Sequence, residues 1–159
     1  MGKYKYKTNL RIDEKVLVAA VMVSESWKKN CSSIFKNFGL TYPQYNVLRA
    51  LQASEDGINT ITNISVAMLV SGANMTGIAK RMEKSGFLIR KGDPGDERRT
   101  MLQITPRGIS TMKNIAGDLD RLIDHLLQDI PVLQRVELLD AFKKILKVSK
   151  SFNPYKTFV

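Results

Sequence analysis

The sequence has few of the residues that build covalent or metal-based sites. A single cysteine, Cys31, excludes an intramolecular disulfide, and a single histidine, His125, leaves too few soft ligands for the common zinc sites. A Gly-rich phosphate loop, a nucleophile beside a histidine and a paired-carboxylate pattern are all missing. We therefore expect a protein that is not an enzyme and that uses no metal and no cofactor.

Long apolar runs are missing as well. No stretch approaches the roughly 18 apolar residues that cross a bilayer, and residues 1–11 are basic without the apolar segment of a signal peptide. We expect the protein to stay in the cytoplasm. The 159 residues, 43% hydrophobic and 25% charged, predict one globular domain over the whole chain.

Negative charge is in short supply. The chain has 25 lysines and arginines against 15 acidic residues, a net charge of +10. Such an excess favours nucleic acid as the partner and, second, an anionic membrane. Basic residues cluster at 1–11, 80–107 and 143–159. A solvated surface explains the two terminal clusters equally well.

Apolar residues three or four positions apart predict long amphipathic helices at both ends of the chain. The stripes run over residues 12–38, where Gly39 ends the helix, then 109–130 and 132–146, which Pro131 separates. Thr105 and Pro106 form the N-cap and first position of the second of these helices. Together the three stripes offer more apolar surface than one small lobe can cover.

The middle of the chain predicts a smaller unit. Thr41 and Gln44 form a capping box that opens a helix, and residues 60–85 form two helices broken at Ser71-Gly72. Residues 87–90 and 101–104 look like strands joined by a charged connector rich in Gly and Pro, which indicates a hairpin. The fold class is therefore mainly α with a small β wing of two to three strands: a winged helix-turn-helix lobe between long helical arms.

Residues 74–84 have the pattern of a helix that enters the major groove of DNA. That groove admits one helix, which needs an apolar inner face and a polar outer face. Met75, Ile78, Ala79 and Met82 form the inner face. The candidate DNA-binding residues on the outer face are Asn74, Thr76, Gly77, Lys80, Arg81 and Lys84. Taken alone, the segment is also compatible with an ordinary amphipathic surface helix.

The tip of the hairpin offers a second candidate contact. An arginine on a thin wing can enter the minor groove, where the potential is most negative when the groove is narrow. Arg98 and Arg99 are the candidates, and we expect Asp96 to orient Arg98 by a charge-assisted hydrogen bond. The alternative is a solvated turn with a local salt bridge.

These motifs resemble those of the MarR family of regulators. Asp96-x-Arg98 followed by Ile104-Thr105-x-x-Gly108 is similar to the family's wing and the helix start after it. Residues 74–87 are similar to its recognition helix and the entry to its wing. The resemblance covers about Leu40 to Met112. Gly77 and Lys80 depart from the Arg and Asp of many members, so base preference does not carry over.

The resemblance implies a sequence-specific DNA-binding transcriptional regulator, a repressor released by a small ligand. It implies a homodimer on a pseudo-palindromic operator, with a DNA-binding lobe at about 40–108 and dimerisation helices at about 10–38 and 109–150. Members commonly bind small aromatic acids in a cleft between the dimer arms and the lobe.

Two alternatives to this function stay open. One is a winged-helix module that contacts only other proteins. The other is a thiol-based oxidant sensor acting through Cys31. Because Cys31 lies within an apolar stripe, we favour a buried, inert thiol over a reactive one.

Overall fold

The computed structural model describes residues 10–68, 70–93 and 95–151, without the side chains of residues 97, 98, 150 and 151. Within these residues the chain forms six α-helices and three β-strands. The elements are α1 Ile12–Lys36, α2 Tyr42–Gln52, β1 Ile58–Thr60, α3 Ile61–Ala67, α4 Gly72–Lys84, β2 Leu88–Asp93, β3 Asp96–Ile104, α5 Pro106–Leu127 and α6 Val132–Ser151. The predicted fold class is confirmed, and the sheet has three strands.

The chain divides into two compact units. The first, Met1–Asp120, holds α1 to α4, the sheet and most of α5. The second, Arg121–Val159, holds the last turns of α5 and helix α6. The boundary of the units falls inside α5.

Predicted capping residues begin the helices where the sequence placed them. The Thr41 backbone N–H donates to Gln44 Oε1 over 2.8 Å, which completes one half of the capping box at α2. The Thr105 hydroxyl oxygen accepts from the backbone N–H of Gly108 over 3.1 Å at the start of α5. Gly39, which follows α1, has φ of 72°, a conformation that glycine adopts without strain.

The sheet differs from the prediction in extent. Its strand order is β1-β3-β2, all antiparallel, and β1 pairs Ile58 with Gln103. The hairpin strands run on to Asp93 and back from Asp96, so the predicted loop 91–99 is mostly paired strand. Backbone hydrogen bonds hold this part of the hairpin, and its exposed side chains are polar, so no apolar alternation marks it.

The core lies in the first unit. On α1 and α5, the buried residues differ in part from the apolar stripes that the sequence predicted. Phe35 on α1 and Ile115 on α5 are fully buried, although neither belongs to the predicted stripes. Ile109, in the predicted stripe of α5, is 49% exposed. Helix α5 instead buries Gly108, Met112 and Ile115, spaced four and three apart, so its inner face is rotated by one residue.

Apolar side chains at both ends of the chain lie open on its surface. In the first unit the N-terminal half of α1 exposes Ile12, Val16 and Val23. In the second unit α6 exposes Val132, Leu133, Val136, Leu139, Leu146 and Val148. None of the helices described is by itself long and apolar enough to cross a bilayer; only α3 and α4 counted together, bent by 113°, reach that length and composition.

Arg135, a half-buried residue of α6, stabilises the connection between α5 and α6. The Nε of Arg135 donates to the carbonyl oxygen of Ile130 over 2.7 Å, and its Nη2 donates to that of Leu127 over 2.8 Å. The last carbonyls of a helix have no partner within the helix and carry partial negative charge. One guanidinium therefore satisfies the last carbonyl of α5, at Leu127, and a second carbonyl, at Ile130, in the connection to α6.

Candidate nucleic-acid interface

Helix α4 is held on the core by one complete face. Met75, Ala79 and Met82 are fully buried, and Ile78 is 9% exposed, so all four predicted inner residues are confirmed. At its start the Ser71 hydroxyl accepts from the backbone N–H of Asn74. The axis of α4 is bent by 113° from that of α3, across a break of four residues, 68–71. This is the angle and spacing of a helix-turn-helix.

The outer face of α4 carries the six predicted residues. Asn74, Lys80, Arg81 and Lys84 are exposed, while Thr76 and Gly77 are half-buried. The Thr76 hydroxyl donates back to the carbonyl oxygen of Gly72 over 2.9 Å, so its proton is already used and its oxygen can only accept. The guanidinium of Arg81 lies back along the helix, with Nη1 3.5 Å from where a Cβ on Gly77 would be.

A tight turn joins α4 to the wing, which is the hairpin of β2 and β3. Gly86 has φ of 73° and its N–H donates to the carbonyl oxygen of Glu83, while the N–H of Phe87 donates to that of Met82. Phe87 is buried, and the guanidinium of Arg107 lies 4.9 Å from the centre of its ring. The Thr105 hydroxyl lies 2.7 Å from the carbonyl oxygen of Gly86. The base of the wing is therefore held by the end of α4 on one side and by the start of α5 on the other.

The wing brings two of its three predicted residues together. Asp96 Oδ2 lies 3.2 Å from the Nε of Arg99, and this ion pair is largely exposed. The sequence assigned Asp96 to Arg98 instead. The side chain of Arg98 lies outside the described residues, so its contact with Asp96 and its role on DNA stay predictions. Arg99 is 62% exposed and remains available to a partner.

A polar network that lies beside the wing was not predicted from the sequence. Asn59 Nδ2 donates to the Ser54 hydroxyl, and Asn63 Nδ2 donates to Asn59 Oδ1. The network joins the end of α2, strand β1 and the start of α3, where the Thr60 hydroxyl caps the N–H of Asn63. Thr60 and Asn63, three positions apart, carry the N-cap signal that would have located this helix start. Arg99, Thr60, Thr62 and Asn63 line a cavity of about 180 Å³ there.

A larger cleft in the first unit also went unpredicted. It has a volume of about 600 Å³ and opens to solvent between α2 and the end of α3. Its lining combines an aromatic ring, an amide and a cation with small apolar side chains: Tyr42, Asn46, Arg49, Ala50, Ala53, Ala67 and Met68. Residues of α2 spaced three and four apart form one wall, which the helical period alone could have indicated.

Cys31 lies in the core and not on a reactive surface. It is fully buried, and desolvation raises the pKa of its thiol. Phe35, one turn further along α1, stacks on Tyr45 with ring centres 4.0 Å apart, and burial likewise raises the pKa of Tyr45. A raised pKa lowers the thiolate fraction on which oxidation depends.

We therefore expect Cys31→Ser to leave DNA binding and the response to peroxide unchanged. Stability should fall by about 1–3 kcal/mol, because the serine hydroxyl is buried in an apolar site. Gel-shift titration with and without peroxide measures the first effect and urea unfolding the second. Release of the natural protein by peroxide, together with retention of Cys31→Ser and Cys31→Ala, would make the protein a thiol switch.

Substitution of Gly77 tests how closely the backbone of α4 approaches DNA. Replacing a helical glycine by alanine stabilises a helix by up to about 1 kcal/mol, and a Cβ here meets Arg81 only at ordinary contact distance. We expect Gly77→Ala to raise the melting temperature while it weakens DNA binding about fivefold, a loss of about 1 kcal/mol. Gly117→Ala on α5, where a Cβ meets nothing within 4 Å, is the control. Equal DNA affinity for both variants would exclude close approach at Gly77.

A helix-turn-helix followed by a two-stranded wing with exposed cations defines a winged helix-turn-helix DNA-binding protein. Residues 38–99 match the sequence profile of the MarR family. The chain is 25% identical to the HTH-type transcriptional regulator SarZ of Staphylococcus epidermidis over 118 residues, which are 74% of this chain and 78% of that protein.

Two solved structures have the same fold. The MarR family transcriptional regulator AbsC of Streptomyces coelicolor matches with a TM-score of 0.82 at 21% identity, over 90% of this chain and 98% of that one. Sco3205 of the same organism, a MarR family regulator solved in complex with DNA, matches with a TM-score of 0.76 at 16% identity, over 94% of each chain. Residues 38–99 thus carry the sequence profile of the MarR family, and the chain has the fold of solved MarR family transcriptional regulators.

Proposed function

We propose that the protein is a homodimeric repressor that binds a pseudo-palindromic DNA site, one winged lobe to each half-site. The observation that carries the proposal is the construction of α4, whose four buried residues fix it on the core and leave its polar face outward beside a basic wing. The DNA complex of Sco3205 supports the same assignment. Such a regulator works in the cytoplasm, beside the DNA it controls.

The first test is the salt dependence of DNA binding. Neutralising phosphates with Lys80, Arg81, Lys84 and the wing arginines releases counterions, so log affinity should fall linearly with log salt at a slope of several units. Fluorescence anisotropy on labelled random-sequence and selected duplexes, from about 50 to 200 mM salt, measures the slope. A flat response would show that the basic cluster is only a solvated surface. No binding to any duplex would leave a winged-helix module that contacts only proteins.

Dimerisation is supported by the exposed apolar faces of α1 and α6. Residues such as Val16 on α1 and Leu139 on α6 are about half exposed in the single chain, and monomers rarely leave such continuous faces uncovered. We expect sedimentation at micromolar concentration to give twice the chain mass of 17.9 kDa. Leu139→Glu should shift the protein to the monomer, whereas Lys144→Glu, on the same helix, should not. A folded monomer of the natural protein would contradict the dimer.

Release by a small aromatic acid is supported by the cleft between α2 and α3. The Arg49 guanidinium offers a partner for a carboxylate, and the Tyr42 ring offers a surface for an aromatic ring. Met68, in the lining, directly follows α3 and precedes the turn to α4. A ligand in this cleft would therefore bias the position of the recognition helix.

Benzoic and hydroxybenzoic acids are the probes for this site. We expect them to raise the melting temperature and to release the duplex, and Arg49→Gln to weaken both effects about tenfold, because a charge-assisted bond to the carboxylate is lost. Lys36→Gln, an exposed cation outside the cleft, is the charge-matched control. Unchanged release by Arg49→Gln would place the effector elsewhere.

A further inference from the structure

One carboxylate on the recognition helix holds the wing. Glu83 lies on the last turn of α4, and Arg90 is the third residue of β2. The backbone N–H of Arg90 donates to Glu83 Oε1 over 3.0 Å. The Nε of the same arginine lies 3.5 Å from Glu83 Oε2. Glu83 thus contacts both the backbone and the guanidinium of one wing residue.

Each contact supplies Arg90 with an interaction that the strands of the wing do not provide. β2 is an edge strand, so the outward N–H of Arg90 has no neighbouring strand to accept it, and Glu83 supplies the acceptor. The Arg90 Nε is buried and makes no hydrogen bond among the described residues. The charge of Glu83 is close enough to compensate it, and removing one partner of such a pair leaves the other uncompensated.

The position of this contact along the chain lets it control the direction of the wing. The chain passes from α4 to β2 through residues 85–87, which the turn at Gly86 already fixes. Arg90 is beyond that turn, three residues before β2 ends at Asp93. A second attachment at Arg90 therefore fixes the direction in which β2 and β3 leave the helix.

We propose that Glu83 is a positioning residue that fixes the wing relative to the recognition helix, so that both meet one DNA duplex together. The inference rests on the proposed DNA-binding function. In this proposal Glu83 does not contact DNA. It acts through Arg90 on the position of the wing cations Arg98 and Arg99. Electrostatics alone predicts the opposite sign, because removing a carboxylate from a DNA-binding lobe strengthens its attraction to phosphates.

The test compares Glu83→Ala, Glu83→Gln and Glu55→Gln. Glu83→Ala removes both contacts, and we expect at least tenfold weaker binding to the selected duplex. Glu83→Gln keeps an oxygen that can accept from the Arg90 N–H, so it should restore a large part of this loss. Glu55→Gln removes the same charge from an exposed turn and should bind as tightly as the natural protein or more tightly.

Two further readouts separate positioning from simple destabilisation. The salt slope should become shallower by about one to two units per subunit for Glu83→Ala, because Arg98 and Arg99 leave the duplex. Without DNA, hydrogen exchange of the Arg90 amide should speed up at least tenfold in Glu83→Ala and not in Glu83→Gln. The helical amides of α4 should keep their protection in both variants.

Unchanged exchange at Arg90, or DNA affinity of Glu83→Ala that matches or exceeds the natural value, would overturn the inference while the DNA-binding function stands. If the natural protein binds no duplex, the proposed function fails, and with it the role of Glu83 in DNA binding. Exchange at the Arg90 amide then still decides whether Glu83 holds the wing.

Discussion

Gly108→Ala is expected to lower the free energy of unfolding by about 2–3 kcal/mol, as an overpacked core does. A Cβ at this buried position would lie 2.5 Å from the carbonyl oxygen of Phe87 and 2.8 Å from Ile104 Cγ1. The first of these atoms is backbone at the base of the wing and cannot rotate away. The N–H of Gly108 is also held by the Thr105 cap, so α5 cannot move aside without losing it.

Gly117→Ala on the same helix is the matched control for this prediction. A Cβ there meets nothing within 4 Å, so the substitution should stabilise the helix by up to about 1 kcal/mol. Urea unfolding at one chain concentration measures both variants, since a dimer's stability depends on concentration. Equal stability of the two variants would mean that α5 and the wing base can separate at little cost.

DNA binding should distinguish the wing from the recognition helix. Arg98→Ala should weaken binding to every sequence, with some loss of preference for A·T-rich flanks, because a wing arginine reads groove width and potential. Arg81→Ala or Asn74→Ala should relax preference at particular half-site positions, since one bidentate contact in the major groove discriminates by about 1–3 kcal/mol. That is about fivefold to more than a hundredfold in affinity.

Affinity for operator, mutated operator and random duplex at one salt concentration measures these effects. Lys144→Ala, on α6, is the charge-matched control. Asp96→Ala should give a smaller general loss, because it frees Arg99 from the ion pair without removing its charge. If Arg98→Ala changes nothing while the helix variants abolish binding, the wing is not on the DNA and the helix-turn-helix assignment survives.

Helix α4 was predictable because its signals are local. Met75, Ile78, Ala79 and Met82 repeat with the helical period, and the structure buries all four. Gly86 and Thr105 end and begin elements by rules that involve only three or four neighbouring residues. Local signals of this kind do not depend on what the rest of the chain does.

The wing was harder to predict because its pairing is not local. Strand β1 has three residues, and only its hydrogen bonds to β3, more than forty positions away, make it a strand. Neither the pairing of Asp96 with Arg99 nor that of Glu83 with Arg90 follows from spacing alone. Side-chain partners depend on where the hairpin bends, and its polar tip carries no hydrophobic pattern.

The sequence by itself determined the class of protein and helix α4 with its inner and outer faces, because helical periodicity and capping chemistry are written in neighbouring residues. Only the tertiary structure decided that Phe35 and Ile115 complete the core, that Cys31 is sealed within it, and that Glu83 contacts the wing. These features depend on which elements pack against one another. Packing brings together residues that no short segment of the sequence relates.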